Sequence, residues 1–131
     1  MQYDQFVGQV HNRGRFASDG EAMRAIHATL ETLGERLYGG EAENLAAQLP
    51  PELGHYLREP AVSESFNLDE FFNRVSMREA VDLPVAIYHA RVVMEVLKEA
   101  VSPGLLDKVL DQLPEEYDSL FVGSKGKLPQ Q

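Results

Sequence analysis

The stretch ETLGERLYGGEAENLAAQLPPEL, residues 31–53, returns 64 residues later as EVLKEAVSPGLLDKVLDQLPEEY, residues 95–117, without a gap. Eight of the 23 aligned positions are identical. The identities at Gly40/Gly104 and Pro50/Pro114 carry most weight, because glycine and proline set backbone geometry. The sequence therefore predicts two tandem copies of one structural unit.

Apolar residues recur at helical spacing just before each of these stretches and in its first part. In each copy five of them step by 3, 4, 3 and 4 positions, which places them on one face of a helix. They are Met23, Ile26, Leu30, Leu33 and Leu37 in the first copy and Ile87, Ala90, Met94, Leu97 and Val101 in the second. No sustained alternation typical of strands occurs. We expect an all-α fold: a compact bundle of about eight helices, built from two tandem pseudo-symmetric four-helix repeats that share one core.

Capping and turn residues set the expected boundaries. Ser18 with Glu21 and Asn67 with Glu70 have the spacing of capping boxes. The pair Gly39-Gly40 is expected to stop the first long helix. The long helices are expected near 19–38 and 83–101. The expected layout is a single helical domain over 1–121, with the first repeat at about 3–58, a linker at 59–66, the second repeat at about 67–121, and a flexible tail at 122–131.

The runs LGERLYGGEAENLAAQLPPEL and KEAVSPGLLDKVLDQLPEEY, with the openings YDQFVGQV and LDEFFNRV, resemble the bacterial and archaeal family called domain of unknown function 2267. The resemblance covers roughly residues 3–121 and includes the tandem order. It implies an all-helical fold. It implies no activity, and it assigns no catalytic or binding residue.

Composition argues against several classes of function. The net charge is −9, with 12 basic and 21 acidic residues, and no basic patch of the kind that nucleic acids or anionic membranes require. The absence of cysteine excludes disulfides and thiol chemistry. No window approaches the roughly 20 apolar residues of a membrane span. We expect a cytoplasmic protein that binds neither nucleic acid nor membrane.

The histidines do not form a recognisable metal or catalytic motif. Glu52 and His55 have the Glu-x-x-His spacing of di-iron bundles, but the second copy lacks the matching histidine. His27 has Glu31 one turn further along, which is typical of an ordinary half-buried ion pair. The sequence therefore indicates no catalytic, cofactor or metal residue.

The two long helices differ on the face opposite their apolar stripe. The first copy has Glu21, Arg24, Ala28 and Thr32 there, whereas the second has Val85, Tyr88, Val92 and Val96. A helix that is apolar on two sides is buried on both. Either this second face packs inside the bundle, or it is exposed and forms an interface with another copy or another protein.

Three functional hypotheses follow. The first is a non-enzymatic interaction or scaffold module that acts through a homo-oligomer or a protein partner. The second is a small-molecule binding module with a pocket between the repeats near His27, Tyr88 and His89. The third is an enzyme with an unrecognised site, although the sequence favours no catalytic role.

Overall fold

Helices make up the regular secondary structure of the computed structural model, which describes residues 1–121. They are α1 (Tyr3–Gly14), α2 (Asp19–Arg36), α3 (Glu41–Ala47), α4 (Pro51–Arg58), α5 (Leu68–Glu79), α6 (Leu83–Ala100), α7 (Pro103–Gln112) and a 3-10 helix (Glu115–Leu120). The expected all-α class and the number of helices are confirmed, and no strand occurs in this part of the chain. The predicted tail, 122–131, lies outside the described residues.

Side-chain caps begin two of the helices where the sequence predicts them. The Ser18 hydroxyl accepts a hydrogen bond from the Glu21 amide at 3.2 Å, and the Asn67 amide oxygen accepts one from Glu70 at 2.9 Å. Each satisfies an amide that has no partner within its own helix, which stabilises the helix by about 1 kcal/mol. Asp82, which could have capped α6, makes no such bond.

The first long helix ends two residues earlier than expected. α2 stops at Arg36, and Leu37 is already extended. Gly39 and Gly40 do adopt the left-handed conformation, with φ of +67° and +87°, but Gly40 is the residue that begins α3. The glycine pair therefore makes the turn into α3 rather than ending α2, and this turn leaves Arg36 beside the chain that follows α4.

The two predicted apolar stripes form the centre of the core. In α2, Ile26, Leu30 and Leu33 are completely buried, and in α6 so are Ala90 and Met94. The first residue of each stripe is only partly buried, since it lies near the open end of its helix.

The helices of the two copies pack on each other as well as within each copy. α1 lies against α6 and α5 lies against α2, while α2 contacts α6 and α3 contacts α7. One pair of contacts is reciprocal. The Gln48 side chain binds the Ser102 amide and hydroxyl, and the Gln112 side chain binds the amide and carbonyl of Tyr38, the aligned residue of the other copy. The pseudo-two-fold relation between the copies remains a prediction that these contacts support.

A glycine lets α2 and α4 approach closely. A Cβ atom at Gly34 would lie 2.3 Å from the carbonyl oxygen of Leu57. Only a residue without a side chain allows this contact. The crossing fixes the end of α4, and with it the segment 59–67 that leads to α5.

Within residues 1–121, none of the helices is both long enough and apolar enough to span a bilayer.

Candidate ligand-binding cleft

Arg36, the last residue of α2, is a buried cation. Only 5% of its surface is exposed. Its Nε atom donates a hydrogen bond to the carbonyl oxygen of Phe66 at 2.7 Å. Its guanidinium lies over the rings of Tyr117 and Phe66, with centroid distances of 5.2 and 5.9 Å. Such cation–π contacts hold the plane of the guanidinium in place.

Arg36 forms no ion pair with any carboxylate in residues 1–121. Arg13, Arg58, Arg74 and Arg78 all do, although each is more exposed. A charge removed from water costs several kcal/mol unless a partner compensates it, and aromatic faces and one carbonyl compensate it only in part. The arrangement at Arg36 is therefore one that a negative charge would complete.

Arg36 lines an open cleft of about 550 Å³ between the two copies. One wall comes from the end of the first long helix, one from the connecting segment, and one from the end of α7. The other lining residues are Tyr38, Ser63, Glu64, Ser65, Gln112, Leu113 and Pro114. The two hydrogen bonds between Gln112 and the Tyr38 backbone, at 2.6 and 3.2 Å, hold opposite walls together.

The acidic residue in the lining pairs with an arginine outside the lining. The Glu64 carboxylate lies 2.8 Å from Arg74 Nη1, and the Glu64 amide donates to the Glu35 carbonyl at 2.8 Å. Arg74 also pairs with Glu35 and Glu70, so it offsets the charge of Glu64 only in part, and Arg36 is the cation among the lining residues. The two serines and the Gln112 amide add hydrogen-bonding groups, while Tyr38, Leu113 and Pro114 add apolar surface.

Burial also fixes the protonation of the residue beneath the cleft. Tyr117 is completely buried, and this burial raises the pKa of its hydroxyl, against the opposing effect of Arg36. The hydroxyl therefore stays protonated and donates to the Phe66 carbonyl at 2.7 Å. The same carbonyl thus accepts from both Tyr117 and Arg36.

Two of the four predicted interface residues of α6 are buried inside the bundle, and the other two are partly exposed. Val92 and Val96 are completely buried within the chain. Val85 and Tyr88, in the first turns of α6, are 41% and 39% exposed. The buried pair follows the intramolecular alternative, because both side chains lie in the core that α6 shares with α1, α2 and α5. The exposed pair stays available to a partner.

The three residues of the predicted pocket lie in two different surroundings. The Tyr88 hydroxyl donates to the Arg13 carbonyl at 2.7 Å. His89, next to it on α6, contacts the buried Glu79 carboxylate through Nδ1 and packs on Phe16. His27 instead lies with residues of α4 and its end. The cleft described above is also between the copies, but its lining includes none of these three residues.

His27 belongs to a group of four side chains that offer metal-ligand atoms. Its Nε2 atom lies 2.8 Å from Glu59 and 3.6 Å from Glu31, and His55 Nε2 lies 3.4 Å from the other oxygen of Glu59. The ligand atoms of His27, Glu31 and Glu59 all lie within 4.8 Å of one another. Glu52, which the sequence analysis paired with His55, takes no part: His55 pairs with the glutamate one turn after it.

Sequence reasoning missed both Arg36 and this group. Arg36 lies beside the apolar stripe of α2, and the aligned residue in the second copy is Ala100. A charged residue beside the apolar stripe in the first copy, where the second copy has alanine, marks Arg36 as unusual. The sequence does not show which residues surround it. The His-x-x-x-Glu spacing occurs twice, at His27 and Glu31 in α2 and at His55 and Glu59 at the end of α4. Only the packing of α2 on α4 brings the two motifs together.

Comparison with known proteins adds a family but no activity. No curated protein matches the sequence. Residues 3–120 match the family described as "Uncharacterized conserved protein (DUF2267)", which is nearly all of the described chain. The match agrees with the resemblance carried by the repeated Leu-Pro turns. The chain therefore belongs to the DUF2267 family of uncharacterised conserved proteins.

Proposed function

We propose that this chain is a non-enzymatic binding module that holds a small organic anion in the cleft at Arg36. The observation that carries the proposal is an arginine only 5% exposed that lacks a carboxylate partner among residues 1–121 and lines the cleft between the copies. A planar guanidinium binds carboxylate and phosphate groups through two parallel hydrogen bonds. The ligand itself would supply the charge that the protein omits.

The rest of the lining defines the class of ligand. Tyr38, Leu113 and Pro114 offer an apolar surface beside the charge, so the ligand has an apolar or aromatic body as well as an anionic group. The net charge of −9 repels polyanions at long range. A small monoanion such as an aromatic carboxylate fits both conditions.

Thermal unfolding with benzoate as the probe tests this proposal. We expect benzoate to raise the Tm of the wild-type protein in a saturable way, because a ligand that binds only the folded state stabilises it, by about 2.7 kcal/mol at 100 times Kd. Benzyl alcohol, with the same ring and no charge, should have no effect. Arg36→Met should abolish the benzoate shift, whereas Arg24→Met, which removes an exposed charge from the same helix, should leave it intact.

The unliganded stability of Arg36→Met separates a binding role from a structural one. The variant loses one hydrogen bond to Phe66, whose carbonyl still accepts from Tyr117, and two cation–π contacts, but it no longer buries an unpaired charge. We expect the free energy of unfolding to stay within about 1 kcal/mol of wild type. A large loss of stability, or a benzoate shift that survives in the variant, would count against the proposal.

The two reciprocal glutamines offer a second matched pair. Gln112→Ala removes the clamp that joins the cleft walls, so it should weaken the benzoate shift. Gln48→Ala removes the equivalent clamp on Ser102, which is not part of the cleft lining. Equal effects of the two variants would indicate a general loss of stability rather than an effect on the site.

A second candidate function is an interaction module, favoured by the exposed first turns of α6. Leu83, Val85 and Tyr88 are 41%, 41% and 39% exposed there, close together in sequence. Self-association or a protein partner could cover them. Native mass spectrometry tests self-association: a dimer that Val85→Glu dissociates would support it, and a monomer at all concentrations would exclude it. We also propose a cytoplasmic setting, in keeping with the composition.

A further inference from the structure

We propose that His27, Glu31, His55 and Glu59 bind a divalent transition metal ion of the Zn²⁺ type between α2 and the end of α4. Each helix supplies a histidine and a glutamate one turn further on. Two imidazole nitrogens and two carboxylate oxygens are a donor set that Zn²⁺ and its neighbours bind readily. The site shares no residue with the Arg36 cleft and does not depend on it.

Three of the four side chains already have ligand atoms within 4.8 Å of one another, namely His27, Glu31 and Glu59. Ligands about 2.1 Å from a tetrahedral metal ion are about 3.4 Å apart. His27 Nε2 and Glu31 Oε1 are 3.6 Å apart, and His55 Nε2 and Glu59 Oε2 are 3.4 Å apart. The 2.8 Å contact between His27 and Glu59 needs to open by about 0.6 Å, and His55 has to turn toward the other three residues, which side-chain rotation at a surface site allows.

The charges around the two glutamates also favour a cation. Within residues 1–121, the ion-pair partners of Glu31 and Glu59 are histidines alone. Glu35, Glu43 and Glu70 instead pair with arginines, which are always charged. Two carboxylates that face only imidazoles lack the permanent positive charge that an arginine supplies. A divalent ion supplies it and uses the nitrogen lone pairs at the same time.

Packing holds part of the site in place before any ion arrives. The His27 ring stacks on Tyr56, with a centroid distance of 4.1 Å and an interplanar angle of 13°. The close approach of α2 and α4 at Gly34 fixes the two ligand-bearing elements against each other. Contacts that orient a metal-binding histidine raise the affinity of the site. The side chains of His27 and His55 are 43% and 69% exposed, so an ion can enter.

Calorimetric titration of the full chain with ZnCl₂ at neutral pH tests the proposal. We expect saturable binding of one ion per chain, at least a 10-fold loss of affinity in His27→Ala and in Glu59→Gln, and no binding of Mg²⁺, which is bound through oxygen ligands. His11→Ala is the matched control. His11 is another surface histidine with a carboxylate partner, Asp19 at 2.6 Å, but it lies outside the group.

Two further readouts make the outcome decisive. Co²⁺ should give the intense visible spectrum of tetrahedral coordination in wild type and His11→Ala, and not in His27→Ala. Circular dichroism should show that all variants keep their helical content, since the changed side chains are at the surface. The proposal is overturned if Zn²⁺ binding does not saturate, if one ion binds per two chains, or if His11→Ala weakens binding as much as His27→Ala does.

Discussion

At the residue scale, Gly34 shows how one missing side chain positions two elements. A Cβ atom there would lie 2.3 Å from the Leu57 carbonyl oxygen, a distance at which backbone must move. We expect Gly34→Ala to lower the free energy of unfolding by about 2–3 kcal/mol, as overpacking of a close helix contact does. Urea unfolding followed by circular dichroism measures this change.

Gly8→Ala is the control for this substitution. Gly8 is also inside a helix, α1, and a Cβ atom there would meet nothing within 4 Å. Alanine is the better helix former, so we expect Gly8→Ala to raise stability by about 0.5–1 kcal/mol. A Gly34→Ala protein as stable as wild type would mean that α2 and α4 do not approach as closely as the structure has them.

The sequence predicts those contacts of a residue that it makes with its near neighbours in the chain. Ser18 and Asn67 were predicted as caps because a cap acts on an amide three positions away. Arg36 was not singled out, because its partner Phe66 is 30 positions away. His27 was interpreted as half of a pair with Glu31, whereas its closer carboxylate, Glu59, comes from another helix.

At the scale of elements, α2 and α5 are joined by a charged cluster with a predictable response to acid. Glu35 of α2 contacts Arg74 at 2.9 Å and Arg78 at 3.0 Å. Burial alone would raise the pKa of Glu35, but hydrogen bonds from the two arginines outweigh it and hold the pKa below the ordinary value of 4.5. The unfolded chain therefore takes up this proton at higher pH than the folded chain.

This depressed pKa fixes the sign of the pH dependence. The stability that Glu35 contributes is fully present above pH 4.5 and is lost as the pH falls through the folded-state pKa. We expect Glu35→Gln to be less stable than wild type at neutral pH, with a gap that closes in acid. Urea unfolding at a series of pH values measures this gap.

Glu43→Gln serves as the comparison for the acid response. The hydrogen bond from Arg58 also lowers the pKa of Glu43, but this pair lies at the surface, where solvent screens it. We expect a much smaller gap for this variant at every pH. A gap for Glu35→Gln that widens in acid, or one no larger than that for Glu43→Gln, would contradict the role given to the cluster.

The second apolar face of α6 leads to a prediction that separates its two ends. Val92 is completely buried, so Val92→Glu would place an unpaired charge in the core and cost about 4 kcal/mol or more, enough to unfold many domains of this size. Val85 is 41% exposed, and Val85→Glu should change stability by no more than about 0.5 kcal/mol. Thermal unfolding of the two variants gives the comparison.

Equal tolerance of glutamate at both positions would mean that α6 is not covered as the structure shows. The sequence left this face open between the core and an interface. Periodicity identifies which residues share a helix face, but it does not show where along the helix the neighbouring helices end. The middle of α6 is buried, whereas Leu83 and Val85 in its first turn are each 41% exposed.

At the scale of the whole molecule, the pattern of packing couples the two copies into one cooperative structure. α1 packs against α6 as well as α2, and α5 packs against α2 as well as α6, so each copy contributes to the core of the other. The tandem stretches at 31–53 and 95–117 predict two related units and a shared core. They do not predict this exchange of contacts between the copies, because the spacing within a helix is the same whichever neighbour covers it.

This exchange predicts that neither half of the chain folds alone. A cut in the exposed connecting segment, between residues 61 and 62, gives the fragments 1–61 and 62–131. The first would expose the face of α1 that α6 covers, and the second would expose the face of α5 that α2 covers, so neither fragment buries enough apolar surface to offset its conformational entropy.

We expect each fragment to show little helical circular dichroism, and their equimolar mixture to recover the helical signal of the intact chain and a cooperative thermal transition. The same mixture made with Val92→Glu in the second fragment should stay unfolded, which separates specific assembly from general aggregation. Fragments that are fully helical and monomeric by themselves would mean that each copy has a self-sufficient core, and the contacts of α1 with α6 and of α5 with α2 would then be secondary to folding.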